Sequence, residues 1–216
     1  MGKLIVFEGV DGSGKSTQYK LLCDRLEQQG VQFRKLVFPR YSEPSSALIR
    51  MYLAGEFGDK PGDVNAYAAS TFFAVDRYAS YMQDWREFYQ AGGLIVTDRY
   101  TTSNAVHQAS KLPAEEQGDF IAWLFAFEYD RLGLPAPDLV LFVDVDLETA
   151  LRHLRKREAE TDTHADIHER DAAYLEASIQ AARKAAALCG WRRLNGSDSI
   201  ADIAQTVATE AEKLWK

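Results

Sequence analysis

The run Gly9-Val10-Asp11-Gly12-Ser13-Gly14-Lys15-Ser16 constrains the fold of this chain more than any other feature. The apolar stretch Leu4-Ile5-Val6-Phe7 leads straight into it and an amphipathic segment follows, so it joins a strand to a helix. Gly9, Gly12 and Gly14 allow a sharp turn in which successive backbone N–H groups point inward at an anion. The helix starting near Lys15 adds the positive end of its dipole. Within such a loop Lys15 reaches the β- and γ-phosphates of a nucleoside triphosphate, and the Ser16 hydroxyl reaches the Mg²⁺ they share. A tight glycine turn that binds nothing is the competing reading, and the flanking strand and helix argue against it.

Composition narrows the partners. The 216 residues carry a net charge of −7, which argues against broad binding to a nucleic-acid backbone. Lys and Arg must therefore be concentrated locally at any phosphate site. Cys23 and Cys189 are the only two cysteines, with no Cys-x-x-Cys pair, so neither a zinc site nor a disulfide framework is expected. The first strand begins almost at Met1, and no apolar run reaches the length of a membrane span. The expectation is a cytoplasmic, soluble protein with no membrane partner.

Aliphatic runs alternate with helical patterns along the chain. Strands are expected at Leu4–Phe7, Gln32–Phe38, Leu94–Thr97, Leu139–Val145 and Trp191–Leu194. Helices are expected at Ser16–Gln29, Asn65–Gln90, Glu115–Arg131, Leu147–Arg157, Ile167–Leu188 and Ile200–Trp215. Such alternation implies an α/β fold in which helices flank a parallel sheet, with ligands at the carboxyl edge of the strands. With no repeat or linker in view, residues 1–216 read as one domain. The polar stretch Glu158–Asp166 follows Arg152, Arg155, Lys156 and Arg157, and reads either as a solvated connector or as a lid over bound phosphates.

More chemistry sits at other strand ends. Leu94-Ile95-Val96-Thr97 runs into Asp98-Arg99-Tyr100, an acid positioned to hold Mg²⁺ and a base aimed at phosphates; the plain alternative is a helix cap with its ion-pair partner. Phe38-Pro39-Arg40-Tyr41 closes the second strand. Phe73 and Arg77 share a helix face at i,i+4 spacing, where a ring stacks on a planar base while a guanidinium bonds its edge. Packing by Phe73 and solvation of Arg77 is the commoner meaning of such a pair.

Taken in order, Phe7-Glu8-Gly9-Val10-Asp11, Phe38-Pro39-Arg40-Tyr41, Phe73 to Arg77, Asp98-Arg99-Tyr100 with Ser103-Asn104, and Pro137-Asp138-Leu139-Val140 resemble the thymidylate kinases over nearly the whole chain. The resemblance implies a three-layer P-loop NTPase fold with a five-stranded parallel sheet, a homodimer, and transfer of the γ-phosphoryl group of Mg·ATP to dTMP, giving dTDP and ADP on the way to dTTP. It implies that Gly9, Gly12, Ser13, Gly14, Lys15, Ser16 and Thr17 bind ATP, and that Ser16 and Asp98 hold Mg²⁺. Asp11 would face the reaction centre. Arg40 and Arg99 would hold the acceptor phosphate, beside Phe38 and Pro39. Phe73 would stack on thymine, with Arg77 and Asn104 on its edge. Glu169 matches an acidic position linked to the acceptor, and His107 and His168 stand near the deoxyribose as pocket walls or as surface histidines. The lid, about residues 152–170, would supply a transition-state arginine, with Arg155 and Arg157 ahead of Arg152, because Gly12-Ser13 replaces a basic residue that some relatives carry in the loop. Its centre is acidic rather than basic.

Rival readings are a kinase for another nucleotide or a nucleoside, a nucleotide-dependent switch, and an inactive scaffold. Arg40 and Arg99 favour an acceptor that already bears a phosphate. An Asn-Lys-x-Asp guanine signature is absent. Asp98 is followed by Arg rather than Glu, unlike many ATP-driven motors.

Overall fold

A computed structural model describes residues 1–161 and 172–215. Five strands, β1 (Lys3–Glu8), β2 (Phe33–Val37), β3 (Leu94–Asp98), β4 (Leu139–Asp144) and β5 (Arg192–Asn195), form one sheet in the order β2-β3-β1-β4-β5. Every pairing is parallel. Parallel strands need crossovers, and these bring helices onto both faces; hence β1 is apolar at consecutive positions instead of alternating. Leu4 and Val6 pack into one layer, Ile5 and Phe7 into the other. The first layer gathers α5 (Thr101–His107), α6 (Gln117–Phe125) and α8 (Ala172–Cys189) through Val106, Phe120, Leu124, Leu175 and Ile179. The second holds α1 (Lys15–Gln28) and α9 (Ile200–Glu212) through Leu22, Leu26, Ile203 and Val207. Cys23 is buried and Cys189 half-buried, both free thiols. No helix among the described residues is long and apolar enough to cross a membrane.

Departures from the expected elements are local. β2 is shorter than Gln32–Phe38, and β5 starts one residue after Trp191. The expected helix Asn65–Gln90 is divided. Asn65 is its cap, accepting from the Ala68 N–H, α3 covers Ala66–Ser80, a π-helical turn spans Tyr81–Trp85, and α4 (Arg86–Gln90) ends it. The wide turn shifts the helical phase so that Tyr81, Trp85 and Tyr89 all enter the core. A second π turn, Ala126–Arg131, follows α6. Two seven-residue helices, α2 (Ala47–Leu53) and α5, are too short for a periodic signal and were not expected. Along α3 and the π turn that follows it, Ala69 and Tyr81 are buried, while Tyr67, Val75, Tyr78 and Met82 are exposed. The remaining helix, α7 (Leu147–Thr161), runs past the expected end at Arg157; residues 162–171 lie outside the described residues, and with them the rest of the expected lid, His168 and Glu169 included, and the expected helix start at Ile167.

Candidate active site

Register places the site. Phe7 of β1 stands opposite Asp98 of β3, and Asp98 opposite Val37 of β2, so three strands end level at the carboxyl edge. The Arg99 N–H donates to Phe7 O at 3.1 Å and the Phe38 N–H to Asp98 O at 3.0 Å, which carries the three loops away side by side. Gly9 has φ +154°, and a Cβ there would meet Ser13 Oγ at 2.6 Å; Gly12 has φ +78°, and its Cβ would meet Ala150 O at 2.4 Å. Side chains at these two positions would force the loop open or push α7 away.

Within the loop Lys15 is buried, its Nζ 3.5 Å from Asp11 Oδ1. Ser16 Oγ, on the first turn of α1, donates to Asp98 Oδ2 at 2.6 Å, while Asp98 Oδ1 is buried without a hydrogen-bond partner among the described residues. Asp98 is therefore neither a helix cap nor the partner of Arg99. That arginine turns the other way: Nη2 donates to Asp11 Oδ1 at 2.5 Å, Nη1 to Ser103 Oγ at 3.3 Å, and Nη1 lies 2.9 Å from His107 Nε2. A guanidinium only donates, so Nε2 of His107 is the acceptor. Burial works against the Arg99 charge, but Asp11, Glu8 and Asp98 more than offset it and raise its pKa above the ordinary arginine value. Arg99 is also a non-glycine residue with φ +69°. That conformation is held by the Thr97 hydroxyl donating to Arg99 O at 2.8 Å and by the Phe7 contact.

Glu8 was not expected to matter and is fully buried. Its Oε1 accepts from the Gly9 N–H at 2.9 Å, and its Oε2 accepts from Thr102 and Ser103 at 2.6 and 2.8 Å. One carboxylate thus ties the phosphate loop to the start of α5. An acid ending an otherwise apolar strand was the only sequence signal for it.

Beside Arg99 opens a cavity of about 230 Å³ lined by Asp11, Phe38, Pro39, Phe73, Arg77, Arg99, Asn104, His107 and Arg157, among others. Phe73 stands on one wall, edge to face with Tyr52 at 6.3 Å between ring centres. His107 is buried rather than a surface histidine, and it packs against the Tyr174 ring. Arg77 is 2 % exposed rather than solvated, and its counter-ion Glu128 is 0 % exposed. Arg77 Nε and Nη2 donate to the two carboxylate oxygens at 2.7 and 2.5 Å. Sequence reasoning missed Glu128, whose one signal is an acid set inside Phe125-Ala126-Phe127-Glu128-Tyr129.

Two expected residues stand apart from the lining. Arg40 is engaged by Asp76, Asp84 and Ser45, with Nη1 2.5 Å from Asp84 Oδ2. Arg155 and Arg157 are both exposed, and of these two leading lid candidates only Arg157 lines the cavity. On the loop side of α7, His153 Nδ1 donates to Gly12 O at 2.7 Å, linking that helix to the phosphate loop.

A parallel α/β sheet with a glycine-rich phosphate loop after β1, an acid ending β3 and a basic, aromatic cavity alongside is the architecture of a P-loop kinase. The family model described as thymidylate kinase matches residues 7–207. The chain is 37 % identical over 171 residues to the thymidylate kinase of Mycobacterium tuberculosis (strain ATCC 25618 / H37Rv), covering 78 % of each chain. It is 31 % identical over 217 residues to that of Afipia carboxidovorans, covering 100 % of this chain and 88 % of the other. Against the human thymidylate kinase it is 32 % identical over 151 residues, covering 70 % and 65 %. The chain belongs to the thymidylate kinase family. It is a nucleoside monophosphate kinase, and its reaction is the phosphorylation of dTMP.

Proposed function

We propose that the chain transfers the γ-phosphoryl group of ATP to dTMP by in-line displacement, with ATP on the Gly9–Thr17 loop and dTMP in the cavity beside Arg99. The observation that carries this reading is the junction of the two compartments: Asp11, in the phosphate loop, lines the acceptor cavity and touches both Lys15 and Arg99. An oxygen of the acceptor phosphate attacks the γ-phosphorus, its bond forms as the bridge to the β-phosphate breaks, and ADP leaves. The attacking oxygen is already ionised, so no general base is required, and catalysis rests on positioning and charge neutralisation.

Lys15 spans the β- and γ-phosphates, and the loop N–H groups of Gly12, Gly14 and Ser16 hold them, with Ser13 and Thr17 beside them in the loop. Arg99 binds the acceptor phosphate, with Asp11 and His107 fixing the guanidinium; Arg40 is the second cation, on the segment that also brings Phe38 and Pro39. Arg157 supplies charge to the transferring group. Phe73 carries the thymine ring, with Arg77 and Asn104 on its edge. His168 and Glu169 stay assigned to the acceptor side by resemblance alone. A closed site excludes water, which otherwise competes as acceptor.

Magnesium belongs to this proposal. The Ser16 hydroxyl and the unpartnered Asp98 Oδ1 are hard oxygen donors at the phosphate end, as Mg²⁺ requires. No cluster of three or more His, Cys, Asp or Glu occurs among the described residues; Mg²⁺ held by one or two protein oxygens plus substrate phosphates needs none. When bound, it neutralises phosphate charge in the transition state.

A cytoplasmic location and a homodimer complete the reading. The exposed Val75, Tyr78 and Met82 support a partner surface, and sedimentation equilibrium at micromolar concentration tests it. For the reaction, the test is ADP release from Mg·ATP against dTMP, dUMP, CMP, AMP, GMP and thymidine. A dTMP preference with little release in the absence of acceptor is expected; preference for a purine monophosphate would discard the base pocket, and ATP binding without transfer would discard the kinase reading.

A further inference from the structure

Hydrogen-bond polarity in the acceptor cavity is decided by a residue set behind it. Both oxygens of Glu128 are occupied. Oε2 accepts from Arg77 Nε at 2.7 Å and from the Thr101 hydroxyl at 2.8 Å; Oε1 accepts from Arg77 Nη2 at 2.5 Å and lies 3.4 Å from Asn104 Nδ2. Two consequences follow for the residues that line the cavity. The Arg77 fork is turned away at Nε and Nη2, so Nη1, whose other contact is Tyr100 O at 3.4 Å, is the donor left at the cavity. The Asn104 amide nitrogen has only acceptors around it, Glu128 Oε1 and Ser70 O at 3.3 Å, so its orientation is fixed and Oδ1 is the atom left to line the cavity.

We infer that Glu128 is a specificity-determining positioning residue, which makes the pocket present one donor and one acceptor and thereby select a thymine or uracil edge over a cytosine edge. The inference rests on the dTMP reading of the cavity. Thymine and uracil offer an acceptor at O4 and a donor at N3–H, complementary to Arg77 Nη1 and Asn104 Oδ1. Cytosine reverses both, with an amino donor at C4 and a bare acceptor at N3. In this pocket it sets donor against donor and acceptor against acceptor, and a buried mismatch of that kind leaves both partners unpaired. Glu128 itself makes no contact with the cavity's contents; it acts through Arg77 and Asn104. An uncharged residue could not do the same, because four donors converge on this one side chain and only a carboxylate accepts at every site.

Replacing Glu128 by Gln keeps the shape and removes that property. Either orientation of the new amide sets an N–H against a guanidinium N–H, which frees Arg77 and Asn104 to reorient. Glu128→Asp keeps the charge but withdraws the carboxylate by one methylene, so it no longer reaches both partners. The experiment measures kcat/KM for dTMP, dUMP and dCMP in the wild type and both variants, with circular dichroism and thermal melts confirming the fold. The wild type is expected to favour dTMP and dUMP over dCMP by about 10³-fold or more. In each folded variant the dTMP-to-dCMP ratio is expected to fall by at least about tenfold, while the dTMP-to-dUMP ratio, set by a methyl contact, stays within about twofold. A folded variant whose activity drops equally on all three substrates overturns the inference and makes Glu128 merely structural. If Glu128→Gln does not fold, Glu128→Asp decides. A wild type that prefers dCMP or a purine nucleotide overturns the reading of the pocket instead, so the two failures are distinct.

Discussion

The two halves of the site are built by opposite means. On the proposed reading the triphosphate half is local: Gly9 to Thr17 is one continuous stretch whose shape follows from glycines at fixed positions. The acceptor half is assembled from distant segments: Phe38 after β2, Phe73 and Arg77 on α3, Arg99 to His107 after β3, and Arg157 on α7. Its donors are side chains, and carboxylates aim them: buried Glu8 ties the loop to α5, buried Glu128 holds Arg77, and half-buried Asp11 holds Arg99. A local loop recognises what all nucleoside triphosphates share, the phosphates. Distinguishing one acceptor from another requires groups converging from several directions, and only long-range packing supplies them.

The sharpest way to break this contrast is Lys15→Ala. Turnover is expected to fall to assay background while calorimetry still detects dTMP binding, because the acceptor half does not depend on the loop lysine; loss of dTMP binding in a folded variant would show that the halves are not separable. Next in size is the lid comparison. Arg157→Ala should lower kcat by about 10³-fold with little change in KM, and Arg155→Ala by no more than a few-fold, since only Arg157 lines the cavity. Equal effects from the two would remove Arg157 from the transition state.

Smaller again is Phe73→Ala. Losing a ring–base stack worth about 1–3 kcal/mol should raise the KM for dTMP by roughly 5- to 150-fold and leave the KM for ATP unchanged. A parallel rise in both constants would mean that the acceptor wall also supports the phosphate loop.

The smallest effect concerns how that wall is anchored. Lys111 Nζ donates to the Tyr52 hydroxyl and to Val64 O, both at 2.9 Å, and Tyr52 packs on Phe73. Burial pushes the Lys111 pKa down from 10.5 to about 7. The folded form therefore binds fewer protons than the unfolded form between those values, so stability rises with pH across that window, and the cost of the buried charge is fully present below pH 7. Urea unfolding at pH 7 and pH 9.5 should show the wild type gaining stability relative to Lys111→Met as pH rises. Identical pH dependence in the two proteins would exclude Lys111 from that slope.

Much of the fold was legible in the sequence because the elements that make it are strongly patterned. The runs at Leu4–Phe7, Leu94–Val96 and Val140–Val143 are buried and apolar without interruption, which marks a central parallel strand. Short helices and phase shifts were not legible. α2 and α5 have too few turns to show a period, and the π turns at Tyr81–Trp85 and Ala126–Arg131 break a helix without changing its composition.

What the sequence determined by itself was the phosphate loop and the order of sheet-edge motifs, because both depend on residues adjacent in the chain. Only the tertiary structure decided that Arg77 is buried, that Arg157 rather than Arg155 reaches the cavity, and that Glu8 and Glu128 hold the site together. A glutamate on a helix is ordinarily solvated and carries no local sign of its partner. Glu128 lies 51 positions from Arg77, and that pairing exists only once the helices are packed against the sheet.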